Sequence, residues 1–253
     1  MKRLCILLAL LGLVALTCLF RPYVWAAISP VAMRFTTAKS VAQRLAQFGD
    51  AARARWKPGF AQARMSYPPP AVKFVALKSE KILEVYAVDK SGRAHWIRSF
   101  PILAASGVPG PKLQEGDGQV PEGIYPIESL NPNSRFHVAM RVGYPNTFDR
   151  SQAARDGRAQ LGGDIMIHGS CVSVGCLAMG DPAAEDLFVL AADTGISHVT
   201  VLIAPVDFRQ GKVVPKFIQL PDWTPGLYAQ LARELADLPL PDSAPGNPPS
   251  AIR

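Results

Sequence analysis

"DIMIHGSCVSVGCLAMGDPAAEDLFVLAADTG", Asp164 to Gly195, carries three signals in succession. Asp164–Gly169 is a short apolar run of the kind that forms a strand. Ile167–Cys176 then packs His168, Cys171 and Cys176 among small residues. From Gly180 the pattern turns helical: Asp181 is placed to cap, and Pro182 suits the first helical position. Glu185 and Asp186 favour the positive end of the dipole, and Gly195 can stop the helix. A strand, a thiol loop and a helix in that order put the chemistry-bearing residues where a rigid element ends.

Upstream, "VKFVALKS", "KILEVYAV" and "AHWIRSF" are β-branched and aromatic runs. Turns at Ser79-Glu80 and Asp89–Gly92 separate them, which predicts three hairpin-linked antiparallel strands. Two more strands are expected at Gly123–Glu128 and Phe136–Val142, and a last one in "HVTVLIAPV". "GYPNTFDRSQAARDGRAQLGG" is polar and glycine-bearing, and it is expected to be a long loop. From Thr37 to Met65, apolar residues recur at helical spacing with interruptions at Gly49 and Pro58, which predicts two short helices before "SYPPP". The fold class is mainly β with flanking helices (α+β), and there is no internal repeat.

The first residues read "MKRLCILLALLGLVALTCLFRPYVWAA": a basic start, a 17-residue apolar run from Leu4 to Phe20, then small residues. This is an export signal. The run is slightly shorter than the ~20 residues that span a bilayer, so cleavage after Ala26 competes with retention as an anchor. "ALT" before Cys18 is a poor lipoprotein box. Segment boundaries are expected at 1–27 (signal peptide or membrane anchor), 28–70 (helical N-terminal segment) and 71–206 (catalytic domain). A C-terminal extension with a helix (207–238) and a disordered tail (239–253) follow. The body is expected to be exported, in the periplasm, touching a membrane only through that anchor.

The formal charge of +7 includes Lys2, Arg3 and Arg21, and the leader has no acid, so 7 − 3 = +4 remains on the body. That excess suits an anionic polymer or an ordinary solvated surface. No basic run with interleaved aromatics supports nucleic-acid binding. Of four cysteines, only Cys171 and Cys176 lie outside the leader.

Three readings compete for His168, Cys171 and Cys176. A structural zinc site needs four ligands, and His95, His137 and His198 fall at no ligand-pair spacing, so no metal is expected. A disulfide suits an oxidising compartment, but four intervening residues close too small a loop to stabilise much. A nucleophile requires a thiol, a base and donors for a developing oxyanion. His168 ends an apolar strand, Gly175 frees the backbone before Cys176, and Ser173 can add a hydroxyl.

"IHGSCVSVGCLAM" followed by a helix, with "PEGIY" (Pro121–Tyr125) and "GYPN" before it, resembles the YkuD-type L,D-transpeptidase catalytic domain in its YafK-like branch. The resemblance covers roughly Lys73 to Ala204 and implies that family's β-sandwich. It further implies that Cys176 is the nucleophile and His168 its base, that the Gly169 carbonyl orients the imidazole, and that Ser173 and Gly175 shape the oxyanion hole. Cys171 has no nucleophilic counterpart. The commonest motif reads S-H-G-C, and Val174 stands where its second histidine would be.

The implied activity is acyl transfer on peptidoglycan stem peptides through a thioester at the diaminopimelate carbonyl, without a cofactor. An incoming amine gives crosslinking or lipoprotein attachment, whereas water gives a hydrolase that releases wall-linked lipoprotein. The reading from a different class is a non-catalytic wall-binding protein with Cys171 and Cys176 bridged. Arg141, Arg150 and Arg155 are candidates to hold substrate carboxylates, and Tyr144 and Asn146 are candidates to line the cleft.

Overall fold

A computed structural model describes residues 38–215 and 219–241. The expected leader at 1–27 lies outside the described residues, as does the tail from 242 onward. Among the described residues no helix is long and apolar enough to cross a membrane.

The chain opens with α1 (Val41–Gln62). Ser40 and Gln43 close a reciprocal capping box, with Gln43 N–H donating to Ser40 Oγ and Ser40 N–H to Gln43 Oε1. Two short helices were expected here, and there is one, because Pro58 sits inside it without breaking it. Phe48, Ala52, Trp56 and Phe60 recur every four residues and are all buried. Trp56 packs edge-on against Phe60 and Phe100 and donates from Nε1 to the Asp186 carbonyl at 2.9 Å. Anchors on both sides of the proline outweigh its cost of about 3 kcal/mol in a helix interior.

Three antiparallel strands follow as their turns predict: β1 (Ala71–Leu77), β2 (Ile82–Val88) and β3 (Ala94–Pro101). β4 (Gly123–Ser134), β5 (His137–Val142), β6 (Met166–His168), β7 (Leu177–Ala178) and β8 (Val199–Ala204) complete one mixed sheet. The strand order is β3-β2-β1-β8-β4-β5-β6-β7. β8 returns to lie parallel to β1 and antiparallel to β4. β4 is the long member: Gly123–Pro126 pairs with β8, and Ile127–Ser134 pairs with β5. One strand therefore serves two leaves, a device by which a sheet turns back on itself. Phe74, Val85 and Val201 of one leaf share a core with Val138, Met140, Ile167 and Leu177 of the other.

α2 (Thr147–Arg155) occupies part of the stretch expected to be a loop. Its surface is polar nearly all round, so hydrophobic periodicity does not mark it. Its start does: Asn146 and Asp149 form a capping box. α3 (Asp181–Thr194) follows β7, with Leu187–Ala191 wholly buried. Asp181 does not cap it. Gly180 is the N-cap, and Asp181 Oδ1 instead accepts from Ser170 N–H at 2.8 Å. α4 (Thr224–Ala236) covers the outer side of β1 and β8 through Leu227, Leu231 and Leu235.

A strap, residues 102–122, crosses from β3 to β4. Lys78 holds both its arms: the buried ammonium donates to Gly110 O (2.8 Å), Val120 O (2.9 Å) and Glu122 Oε1 (2.9 Å). Tyr228 donates to the second Glu122 oxygen at 2.7 Å. Replacing Lys78 by Met leaves the Glu122 carboxylate buried without its cation, and Lys78→Met is expected to cost about 3–5 kcal/mol. Urea unfolding followed by tryptophan fluorescence measures it.

Candidate active site

β5, β6 and β7 lie side by side, and their alternation sorts residues to two faces. Val138, Met140, Ile167 and Leu177 face the core. Residues paired across strands share a face, so the register Arg141↔Met166 and Ala139↔His168↔Ala178 defines two rows on the other face. Cys176 directly precedes β7, opposite Met166, whose N–H donates to Cys176 Sγ at 3.4 Å. The first row is therefore Arg141, Met166, Cys176, and the second is Ala139, His168, Ala178. His168 lies one row along from the thiol on the same face, and its neighbours in the row are alanines.

His168 is 1% exposed. Its Nδ1 lies 2.6 Å from the Gly169 carbonyl oxygen, which can only accept, so Nδ1 carries the proton. In the neutral ring Nε2 is then the lone-pair nitrogen, and it is buried with no hydrogen-bond partner among the described residues. Phe136 stacks on the ring at 4.7 Å with a 27° tilt. Gly169 has to be glycine, because a Cβ there would come within 2.7 Å of the Phe136 carbonyl oxygen. Burial depresses the His168 pKa below the ordinary value, opposed by the Gly169 carbonyl.

Cys176 Sγ also lies 3.6 Å from the Asp164 carbonyl oxygen, to which its S–H is directed. Burial pushes the thiol pKa up, and the Asp164 charge adds to this; the Met166 N–H and the Lys112 ammonium oppose it. The resting pair is thus neutral thiol and neutral imidazole. Cys171 is exposed, and both thiols are free.

Gly175 has a left-handed φ of 82°, which glycine adopts without cost. Ser173 and Gly175 stand beside the thiol, but their polar groups are already engaged. Ser173 Oγ accepts from Cys176 N–H at 3.0 Å and donates to the Cys176 carbonyl at 2.6 Å. Gly175 N–H donates to Ser106 Oγ at 2.6 Å, and Ser106 donates on to the Gly118 carbonyl at 2.6 Å. Ser173 braces the turn that presents the thiol rather than offering a free hydroxyl. Ser106, on the strap, was not legible as a site residue, because 69 positions separate it from Gly175.

The substrate-binding candidates divide. Arg141 is in the row of the thiol; its Nη1 pairs with Asp164 Oδ1 at 2.5 Å and its Nε with Glu128 Oε2 at 3.1 Å. Tyr144 is not a cleft residue: it is buried, packs on Tyr125, and its hydroxyl is 3.3 Å from both the Lys112 and Leu161 carbonyls. Asn146 is the N-cap of α2 and donates from Nδ2 to the Ile124 carbonyl, so its amide is occupied too. Arg150 and Arg155 are exposed on α2. Among the described residues no group of three or more His, Cys, Asp or Glu could hold a metal ion.

The site thus combines a strand-end histidine oriented by the next residue's carbonyl with a thiol that follows a left-handed glycine, one row away on the same sheet face. Residues 72–203 match the YkuD L,D-transpeptidase catalytic domain, more than half of the chain, and the chain belongs to that family. Over 113 residues it is 36% identical to a protein of Escherichia coli K12 whose name is "Putative L,D-transpeptidase YafK". That match covers 44% of this chain and 43% of the relative, so it spans less than half of the relative's length. Among solved structures, the helical cell shape determining protein Pgp2 of Campylobacter jejuni aligns with a TM-score of 0.44 and 25% identity, over 58% of this chain and 50% of that one. L,D-transpeptidase 1 of Mycobacterium tuberculosis aligns with a TM-score of 0.31 and 18% identity, over 53% and 62%.

The protonation states are testable without substrate. In a Cys171→Ser background, iodoacetamide is expected to alkylate Cys176 slowly at neutral pH. The rate should rise through a midpoint above about 8.5, the ordinary thiol value. Mass spectrometry of quenched samples gives the profile; fast alkylation with a midpoint near or below neutrality would show a thiolate–imidazolium pair instead.

Proposed function

We propose that this protein is an exported cysteine enzyme of the L,D-transpeptidase family that acts on peptidoglycan stem peptides through a thioester on Cys176. The observation that carries the reading is the buried His168 ring, with Nδ1 fixed as donor and Nε2 unpaired, one row from the Cys176 thiol on the same sheet face. A buried polar atom without a partner is costly, and a catalytic role is one reason to retain it.

In the proposed reaction, rotation about the Cys176 Cα–Cβ bond turns the S–H from the Asp164 carbonyl toward Nε2. His168 takes the proton, and sulfur attacks the carbonyl carbon of the L-configured centre of the diaminopimelate residue. The carbon–nitrogen bond to the next residue breaks, and the amine leaves with the proton that His168 returns. A thioester remains. Water or an amine then gives its proton to His168 and attacks the thioester carbonyl, and the thiol is restored with that proton. Gly175 N–H can serve the developing oxyanion once it exchanges the Ser106 hydroxyl for the substrate oxygen.

A second reading, hydrolysis in place of transfer, is favoured by Val174. It is 82% exposed beside the nucleophile and supplies no second base where the commonest motif has histidine. Release of wall-linked lipoprotein belongs to this reading.

Incubation of the purified chain with a carbapenem, followed by mass spectrometry, is expected to show one adduct on Cys176. On isolated muropeptides, Cys176→Ala and His168→Ala should each lower turnover about a thousandfold or more, since nucleophile and base act as a unit. Absence of the adduct, with Cys176→Ala equal to wild type, would overturn the proposal. Products formed with and without added stem-peptide amines separate transfer from hydrolysis.

A further inference from the structure

Asp164 is a costly residue for its position. Its φ of 54° is left-handed, in a run where Gly162 is left-handed too, a position that glycine, asparagine or aspartate can fill. Its carboxylate is 77% exposed, and its ion pair with Arg141, itself 40% exposed, is of the solvent-screened kind that adds little stability. Its charge also works against ionisation of the Cys176 thiol. An exposed acid that opposes ionisation of the nucleophile and adds little to the fold calls for another reason to be there.

Position supplies one. The Asp164 carbonyl is 3.6 Å from Cys176 Sγ, so its side chain stands at the lip of the same site. Arg141 lies in the row of the thiol, two strand spacings away, which is about 10 Å between backbones. Both side chains leave the sheet on the same face, and the long arginine stem can span part of that gap. The lip therefore displays one carboxylate and one guanidinium, paired with each other and open to solvent, beside the group that would attack.

We propose that Asp164 and Arg141 form a specificity site for an α-amino-acid zwitterion, an ammonium and a carboxylate on one carbon, carried by the acyl donor. This rests on the acyl-transfer reading above and adds a requirement on the donor. The distal centre of a diaminopimelate residue has that chemistry. Five carbon–carbon bonds of about 1.5 Å separate it from the reactive carbonyl, a zigzag of about 6 Å, which suits the offset between sulfur and guanidinium. On binding, the ammonium takes the Asp164 carboxylate and the substrate carboxylate takes the freed Arg141 Nη1. Arg141 keeps its Nε bond to Glu128, which holds the guanidinium in place. Two ion pairs replace one and no charge is left alone. The fork of arginine suits the carboxylate in a way a lysine ammonium does not.

The test is a binding titration of the full chain carrying Cys176→Ala, so that nothing turns over. Three tetrapeptides that differ only at the third residue are compared: meso-diaminopimelate, lysine, which lacks the distal carboxylate, and diaminopimelate acetylated on its distal amine. The first should bind tightest, with each alteration weakening binding about two- to fivefold, the range of a solvent-exposed charged contact.

Arg141→Gln should abolish the preference over lysine, and Arg141→Lys should not restore it. Asp164→Asn, which suits a left-handed backbone, should abolish the preference over the acetylated peptide. Equal binding of the three peptides overturns the inference, as do preferences that survive both substitutions, or no binding of any. The carbapenem adduct on wild-type Cys176 tells the failures apart. If it forms while the peptides are not distinguished, only the zwitterion site is lost; if it does not form and nothing binds, the enzymatic reading is lost too.

Discussion

The hydrogen bond from His168 Nδ1–H to the Gly169 carbonyl, 2.6 Å long in a water-poor pocket, is the interaction on which the site's arrangement depends. It fixes one tautomer and so commits Nε2 to the role of acceptor. It can exist only because Gly169 has no side chain and because β5 and β7 hold β6 from both sides. The Phe136 ring covers the imidazole from the β4–β5 turn, and that turn is tied to α3 by His137 and Glu185 at 2.8 Å. An element of three residues, β6, is thus held rigidly enough to aim the imidazole.

Around that bond, the site in its resting state is electrically quiet. Burial disfavours both charged forms, the imidazolium of His168 and the thiolate of Cys176. The amides of Gly175 and Cys176 are engaged by the Ser106 and Ser173 hydroxyls rather than left unpaired. Exposed charge stands at the lip, at Arg141 and Asp164, and the Lys112 ammonium that acts on the thiol is buried and paired with Asp117.

Much of this was legible in the sequence because it depends on neighbours in the chain. The alternating and β-branched runs mark β1, β2 and β3, and the Pro182 and Gly195 signals bracket α3. His168, Gly169 and Cys176 sit at strand-end and turn positions that local pattern reveals. Where local pattern was weak, it misled. α2 has a capping box but no apolar stripe, so composition read it as loop. Pro58 read as a helix break because the sequence does not show that Trp56 and Phe60 both reach the core. Tyr144 and Asn146 read as cleft residues because they lie near a turn, and only the fold shows the Tyr144 hydroxyl buried and the Asn146 amide engaged by the Ile124 carbonyl.

The sequence alone determined which reactive groups are on offer, through residue type and local backbone freedom: a thiol after a glycine, and an imidazole where an apolar strand ends. Tertiary structure decided what faces them. The pairing of β5 with β6 brings Arg141 level with Cys176, the strap brings Ser106 onto Gly175, and the left-handed turn at Asp164 points a carbonyl at the thiol. Those partners come from positions 12 to 70 residues away from the thiol. No periodicity encodes them, because sheet register and strap placement are set by the packing of the whole core.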